Sequence, residues 1–515
     1  MKWWPRIAAT LAGAIFIAGV GLYWFISTYE AREPSRLAYA RYCADCHGAE
    51  LEGAAQGPAL VNRPLVRGDS TPALIASIPG DIPAHRTPGW EARLSPEMVK
   101  ALALFVSERR QRFPTTAQSY DSDFTEADII SQHARYRVEK FADLASRPYA
   151  MAPLPDGRIL VSEKVRGLSM VDTEGVQGEL VSGIPRVWEP LAVARGSYLG
   201  WGQMLDVALH PEYEENGWVY LAHADRCQLD CGSAVPVSMV RVVRGRIRDG
   251  RWIDQEIVWS VHHDYYTVVP DGVAGGRLAF DGDGYLFITV GGKSTYDNLH
   301  KLDTPYGKIH RVAADGRVPD DNPFWLPAEE RPEASTRHTV WSYGHRTVQG
   351  LASHPGTGEI WSTEMGPRGG DEVNRIVAGG NYGWPLYTHG LDYNAEPITI
   401  GLDLGLDFPI ESTELPVFDF TPAPAISNFI FYRGDSFPAW THDLLVGSLK
   451  AQTLYRLRIQ GDDTLEVEKL VEGLGRIRDV ETGADGHVYV LLEHGDSGSL
   501  FRLVPTAREG RAPGE

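Results

Sequence analysis

The sequence predicts an all-β six-bladed propeller, preceded by a small all-α domain and by one N-terminal transmembrane helix. Three observations carry this. A turn followed by a short apolar or alternating strand recurs six times between residues 154 and 493. A helical segment near the N-terminus runs into Cys43-Ala-Asp-Cys46-His47. Ahead of it an uncharged, mostly apolar run extends from Ile7 to Tyr29, about the length of one membrane-spanning helix.

Lys2 and Arg6 precede that run, and Trp3, Trp4, Tyr23 and Trp24 stand toward its ends, where interface anchors belong. Positive charge on the leading side keeps the N-terminus cytoplasmic and sends the rest across. The run is long for the core of a cleaved signal peptide, the alternative, and no small-x-small cleavage site follows it. The expectation is a single-pass anchor (1–30) in the inner, cytoplasmic membrane, with everything after it facing the periplasm. The remaining divisions are 31–113, a helical domain; 114–133, a polar linker; 134–507, the propeller; and 508–515, a tail.

With 515 residues, 43% hydrophobic and 23% charged, the chain is a folded protein of several domains. A formal net charge of −19 and the lack of any basic stripe exclude nucleic acid as a partner. Of four cysteines, Cys227 and Cys231 lie close together among turn residues. In an oxidising compartment they form a small disulfide loop; otherwise they are two free thiols.

Within 35–113, SRLAYARYCADCHG reads as a helix. LSPEMVKALALFVSERR reads as another, with Ser95 as N-cap and Met98, Leu102, Phe105 and Val106 on its apolar face. Helix, Cys-x-x-Cys-His, Pro-rich loops and a final amphipathic helix resemble class I cytochrome c over the whole segment. Two thiols spaced by two residues can form thioethers to the haem vinyl groups, and the next histidine supplies an axial nitrogen. This implies one haem c on Cys43 and Cys46, with His47 on the iron. A redox-active Cys-x-x-Cys pair is the alternative. Cytochromes of this kind place a methionine in the loop before the last helix, where this chain has Thr87. His85 is therefore the expected sixth ligand; Met98, which falls on the apolar helix face, and an open position are the alternatives.

The six propeller units are LPDGRILVSE (154–163), NGWVYLAH (216–223), GDGYLFITVGG (282–292), GTGEIWSTE (356–364), THDLLVGSL (441–449) and ADGHVYVLLE (484–493). Their spacing is longer than a bare blade and leaves room for loop insertions. A pair of β-sandwiches is the other architecture this pattern permits. The stretch 343–385 holds an Arg346 read as exposed, a Gly366-Pro367 turn, and the acidic pair Asp371-Glu372. Carbonyls beside carboxylates suit a hard cation such as Ca²⁺.

The propeller region resembles the soluble quinoprotein glucose/sorbosone dehydrogenases, including the aldose sugar dehydrogenases. The motifs that carry the resemblance are MLDVALHPEYEENGWVYL (204–221), GGRLAFDGDGYLFITVG (275–291), YGKIHRVAADGRVPDDNPF (306–324), the 343–385 stretch, FPAWTHDLLVGSLKAQTLYRL (437–457) and GRIRDV (475–480). The resemblance implies pyrroloquinoline quinone (PQQ) bound beside Ca²⁺. It puts Arg346 near the quinone carbonyl, the Gly366 and Pro367 carbonyls on that Ca²⁺, and Lys450, Arg476 and Arg478 against the cofactor's carboxylates. Glu372 and the Tyr382 region match a second, structural Ca²⁺ site.

Three positions depart from the family pattern. The general base, a histidine three residues before Gly276-Arg277-Leu278, is Val273 here, with His263 (beside His262) and Asp271 as candidate substitutes. The family's substrate-binding glutamine falls at Trp201, and Thr347 follows the active-site arginine where asparagine is usual. The resulting expectation is a membrane-anchored quinohaemoprotein dehydrogenase. It oxidises a sugar or related alcohol or aldehyde through PQQ, passes electrons to haem c, and hands them to the quinone pool or a periplasmic cytochrome. A non-catalytic haem-bearing propeller that binds a ligand or protein is the alternative that Val273 favours. A Ca²⁺-dependent hydrolase would have no use for a haem.

Overall fold

A computed structural model describes residues 33–80, 93–111, 128–186, 189–194, 197–201, 203–227, 237–267, 275–292, 295–460 and 464–506. The predicted anchor, most of the predicted linker, the tail, His85, Cys231, Asp271 and Val273 lie outside these residues. Among the described residues no helix is long and apolar enough to cross a membrane. The chain divides into two compact units: Met1–Phe113 with Pro367–Gly369 and Gly390–Ile398, and the remainder.

The first unit is helical. Helix α1 (Pro34–Tyr42) starts on a proline, whose missing N–H costs nothing at a helix N-terminus. The chain breaks at Cys43, forms the single turn α2 (Ala44–His47), and reverses at Gly48, whose φ of 81° suits glycine. Helix α3 (Thr71–Ser77) is capped by the Ser70 hydroxyl, which accepts the Ala73 N–H at 3.3 Å. Helix α4 (Pro96–Gln111) is capped as predicted, with Ser95 Oγ accepting the Met98 N–H at 3.3 Å. Tyr39 of α1 packs on Phe105 of α4 with ring centroids 5.3 Å apart. Leu51, Leu74, Leu94, Val99, Leu102 and Val106 complete the core, and Met98 lies against it, half-buried. Each fully buried side chain of this size contributes about 1.5–3 kcal/mol.

The second unit is a ring of six blades. Strands β1 (Ile129–Ile130) and β2 (Arg135–Leu144) come first. The first blade is β3 (Pro148–Pro153), β4 (Ile159–Glu163) and β5 (Gly167–Val171), followed by a hairpin of β6 (Glu189–Ala194) and β7 (Ser197–Trp201). The second is β8 (Met204–Leu209), β9 (Val219–Cys227), β10 (Val237–Arg248) and β11 (Arg251–Trp259). The third is β12 (Leu278–Phe280), β13 (Tyr285–Val290), β14 (Lys308–Ala313) and β15 (Val340–Tyr343). The fourth is β16 (Val348–Ser353), β17 (Ile360–Glu364), β18 (Asp371–Ile376) and β19 (Phe418–Phe420). The fifth is β20 (Ile426–Phe431), β21 (Leu444–Ser448), β22 (Thr453–Gln460) and β23 (Thr464–Glu472). The sixth, β24 (Ile477–Thr482), β25 (Val488–Glu493) and β26 (Gly498–Pro505), is completed by β2, with Val138 opposite Leu503. First and last strands thus share one blade and close the ring, which removes the open edges a sheet would otherwise expose.

Each of the six sequence units is the second strand of its blade: β4, β9, β13, β17, β21 and β25. Strands β4, β17, β21 and β25 are buried along their whole length. They read as unbroken apolar runs because blades pack on both of their faces. The turn before each strand needs a left-handed residue. Gly157, Gly217, Gly284, Gly358 and Gly486 supply it with φ between 68° and 87°, and His442 takes that conformation in the fifth blade at 68°. The polar linker reading does not hold at its end. Ile129 and Ile130 pair with Tyr136 and Arg135, and the Gln132 N–H is accepted by Glu468 at 2.6 Å, so the propeller unit begins before residue 134. A two-residue strand is too short to leave a period in the sequence.

Candidate active site

Within an up-and-down blade, connections from the second strand to the third emerge at the same end of the ring as connections from one blade to the next. That end collects Arg147 (between β2 and β3), Lys164 (after β4), Arg346 (before β16), Met365 and Gly366 (after β17), Lys450 (after β21), Arg476 (before β24) and Glu493 (the last residue of β25). A cavity of about 470 Å³ lined by His354, Trp361 and Arg458 among others belongs to the opposite end and is separate from these residues.

Glu493, 1% exposed, is a hub. Its Oε1 accepts from Arg476 Nη2 at 2.8 Å and Arg147 Nη2 at 3.2 Å. Its Oε2 accepts from Arg478 Nε at 2.9 Å and Lys164 Nζ at 3.1 Å. Burial opposes the charge on this carboxylate, but Arg478, Lys164, Arg147 and Arg476 outweigh it and hold its pKa well below the ordinary range. The Lys164 amine is pushed down to about 7 by burial and by the neighbouring Arg478. One carboxylate for four cations leaves a surplus of positive charge, the chemistry of a polyanion pocket.

Below the hub, Arg277 is sunk on the propeller axis at 1% exposure. It donates to the Gln349 carbonyl (2.7 Å), the Arg478 carbonyl (3.1 Å), Asp206 (3.3 Å) and Asp479 (3.4 Å), and stacks over Tyr149 at 4.6 Å. It ties inner strands of four blades together beneath the site. Arg478 is steadied further by Gln349 Oε1 at 3.2 Å.

Arg346 is buried, 5% exposed, and not the exposed residue the sequence suggested. The Glu364 carboxylate explains this. Its Oε1 accepts the Arg346 and Thr347 main-chain amides, the latter at 3.1 Å, and its Oε2 lies 3.0 Å from His345 Nδ1. The Arg346 guanidinium then donates to the carbonyls of Met365 (2.8 Å) and Gly366 (3.3 Å), with its carbon 5.4 Å from the Trp384 ring centroid. The Gly366 N–H is held by Asp371 Oδ1 at 2.8 Å, so this carbonyl is fixed in place, and Pro367 follows it half-buried. Of the two carbonyls that the expected Ca²⁺ at Gly366 and Pro367 requires, that of Gly366 is fixed facing a cation, the Arg346 guanidinium.

Glu372 stands directly across the sheet from Glu364 on one side and Asp419 on the other. Burial and then Glu364 raise its pKa well above the carboxylate range. Beside it, Asn374 donates to Glu372 at 3.2 Å, while Asn374 Oδ1 is buried with no donor among the described residues. This row fits a hard cation, although no ready-made cage of three acidic, histidine or cysteine ligands forms among the described residues. The Tyr382 phenol is already engaged: it donates to the Arg375 carbonyl at 2.6 Å, accepts from the Val377 N–H at 3.0 Å, and stacks on His345. Only its main-chain carbonyl remains to offer a metal.

Lys450 lies half-buried on the turn after β21, its N–H bonded to the Pro424 carbonyl at 3.0 Å. His263 is exposed, its ring edge-on to Tyr266. The structure gives it no tie to the cation hub. In the helical unit, Cys43 and Cys46 are free thiols. His47 Nδ1 donates to the Pro58 carbonyl at 2.7 Å, which leaves Nε2 with the lone pair. Cys227 is disulfide-bonded; its expected partner, Cys231, lies outside the described residues.

Sequence reasoning missed Arg147, Lys164 and Glu493. The available signal was positional: Lys164 and Glu493 stand at or just beyond the end of a repeated unit, where, among the described residues, four of the six units carry a charged residue (Lys164, Glu364, Lys450 and Glu493).

A family model described as Glucose / Sorbosone dehydrogenase matches residues 145–502. The aldose sugar dehydrogenase YliI of Escherichia coli (strain K12) is 33% identical over 382 residues, covering 72% of this chain and 94% of that protein. Quinoprotein glucose dehydrogenase B of Acinetobacter calcoaceticus is 24% identical over 447 residues, covering 70% and 87%. The crystal structure of the soluble aldose sugar dehydrogenase of Escherichia coli in the apo-form superposes with a TM-score of 0.60 at 32% identity, over 72% of this chain and all of that one (100%). These relatives are sugar dehydrogenases, and the matched residues contain the cation hub, Arg346 and the acidic row together. The chain belongs to the glucose/sorbosone dehydrogenase family.

Proposed function

We propose that the chain is a quinohaemoprotein dehydrogenase that oxidises a sugar, or a related alcohol or aldehyde, in the periplasm while anchored in the inner membrane by residues 1–30. The cation surplus around Glu493, in a propeller of this family, is the observation that carries the reading. PQQ has three carboxylates, and Arg476, Arg478 and Lys450 are the proposed partners for them. Arg346 is fixed from behind by Glu364, and the Gly366 and Pro367 carbonyls are the proposed holders of the Ca²⁺. Bound there, PQQ and Ca²⁺ supply a two-electron acceptor and a Lewis acid. The protein's own part is to orient the substrate carbon and to take the hydroxyl proton. Valine at 273 cannot take that proton, which makes a histidine or carboxylate elsewhere the base.

Haem c is the second cofactor of this reading, on Cys43, Cys46 and His47. The two free thiols one helical turn apart support it, as does the His47–Pro58 bond, which orients the imidazole with Nε2 free for a metal. His85 is the proposed sixth ligand. A haem on the same chain supplies a one-electron carrier at high effective concentration. Val273 favours a second reading, a cofactor-loaded propeller without turnover.

The test is to load the purified protein with PQQ and Ca²⁺, add a panel of aldoses, alcohols and aldehydes, and follow the haem spectrum. Reduction by at least one sugar is expected. PQQ binding with no reduction by any substrate overturns the dehydrogenase in favour of the second reading.

A further inference from the structure

We infer that Lys164, paired with Arg147, is a further ligand for a carboxylate of the bound quinone, and that Lys164 takes up a proton from solvent as that carboxylate arrives. This rests on the reading of the site as a PQQ pocket and extends it to two residues outside the family motifs.

The geometry makes the two cations a unit. The Lys164 N–H donates to the Arg147 carbonyl at 2.9 Å, which extends the β3–β4 pairing by one residue and sets the two residues beside one another. Both reach Glu493, Lys164 at Oε2 (3.1 Å) and Arg147 at Oε1 (3.2 Å). Arg147 is partly open to solvent at 27% of its side chain, and Lys164 retains 11%. Arg147 is the more open of the two, and Lys164, buried beside it, keeps only a narrow opening toward solvent.

The chemistry follows from which group can yield. Lys164 faces Glu493 on β25, which also carries Arg476 and Arg478 at β24, and it faces Arg147 and the Tyr149 ring at β3 (5.5 Å); on its own turn Arg166 pairs with Glu163 at 3.1 Å. A single carboxylate, Glu493, cannot balance three guanidinium groups and an ammonium in a site this buried. Guanidinium groups do not give up a proton, so the Lys164 amine is the one member that can relax the excess charge. Its lowered pKa of about 7 agrees with this. A ligand carboxylate restores the balance, and the neutral amine becomes an ammonium by gaining one proton. No bond to carbon forms or breaks and no electrons move.

The experiment is isothermal titration of the full chain with PQQ in excess Ca²⁺, from pH 6 to 9, in pairs of non-coordinating buffers of low and high ionisation enthalpy (PIPES and Bis-Tris at the acid end, HEPES and Tris above it). The dependence of heat on buffer ionisation counts the protons taken up. The wild type is expected to take up close to one proton at pH 8 and little at pH 6. Lys164→Arg, charged throughout, is expected to bind without this uptake, and Lys164→Met to bind at least tenfold more weakly. Near-UV circular dichroism and the unfolding midpoint confirm that each variant is folded. Equal proton uptake in wild type and Lys164→Arg, or undiminished affinity in Lys164→Met, overturns the inference while leaving the PQQ pocket standing. A wild type that fails to bind PQQ overturns both.

Discussion

Glu364 holds the main-chain amide of Arg346 in its carboxylate and, 3.0 Å from its other oxygen, the ring of His345. An acidic residue at the end of β17 thus sets the position of a basic residue across the strand gap. Glu364→Ala leaves two buried amides without an acceptor and is expected to lower stability by about 3 kcal/mol. PQQ affinity should fall as well, because Arg346 loses its backing. Urea unfolding and cofactor titration read the two effects. An unchanged unfolding midpoint would show that the carboxylate does not organise this loop.

Arg476→Ala and Lys450→Ala are each expected to weaken PQQ binding about tenfold or more, the range of a charge-assisted hydrogen bond. Quenching of protein fluorescence by the cofactor measures this. Charge swaps to glutamate should do worse than alanine, and added salt should narrow the gap.

Glu372 makes stability depend on pH in a defined direction. Its folded pKa is raised above the ordinary value of 4.5, so in the window above 4.5 the folded chain keeps a proton that the unfolded chain has lost. Without metal, stability relative to Glu372→Gln should therefore fall as pH rises through that window, and the two proteins should differ least below it. Ca²⁺ should reverse the trend in the wild type, stabilising it more as pH rises, and leave Glu372→Gln little affected. Thermal unfolding at pH 4 to 8, with EGTA or Ca²⁺, checks both signs.

Chain produced with a c-type haem maturation system should carry haem that survives acid–acetone extraction, and Cys43→Ala with Cys46→Ala should not. His85→Ala should change the ferric spectrum of the haem-loaded protein. A sulfur-to-iron charge-transfer band in the unmutated protein would instead point to Met98.

Trp440 is fully buried, stacked on Phe437 at 4.2 Å and edge-on to Tyr136 at 5.4 Å. Trp440→Ala should cost about 3–5 kcal/mol in equilibrium unfolding. The milder Tyr136→Phe removes one hydrogen bond, to the Leu470 carbonyl at 2.7 Å, and should cost about 1 kcal/mol.

The blade count was legible because every second strand is buried on both faces and follows a turn that needs a positive φ. Those two demands write apolar runs behind glycines. Arg346, Lys450, Arg476 and Arg478 were legible only through their motifs, since an isolated arginine in a sequence does not reveal whether it is buried. Arg147 and Glu493 could not be paired by any local pattern: 346 positions separate them, and ring closure alone makes them neighbours. The burial of Arg346 was missed for a similar reason, because its acceptor lies on a strand 18 residues later.

Ring closure by β2 and β26 also orders events in time. Glu493, Arg476 and Arg478 belong to the last blade to be made, and the strand that completes that blade is among the first. A nascent chain therefore carries its N-terminal strand unpaired through synthesis of five blades, a long-range closure that is slow and exposes an edge. An anion pocket centred on Glu493 exists in no intermediate lacking the final blade. On the proposed reading the quinone is captured only by finished chains, and free cofactor acts as a late brake on unfolding rather than as a template for folding.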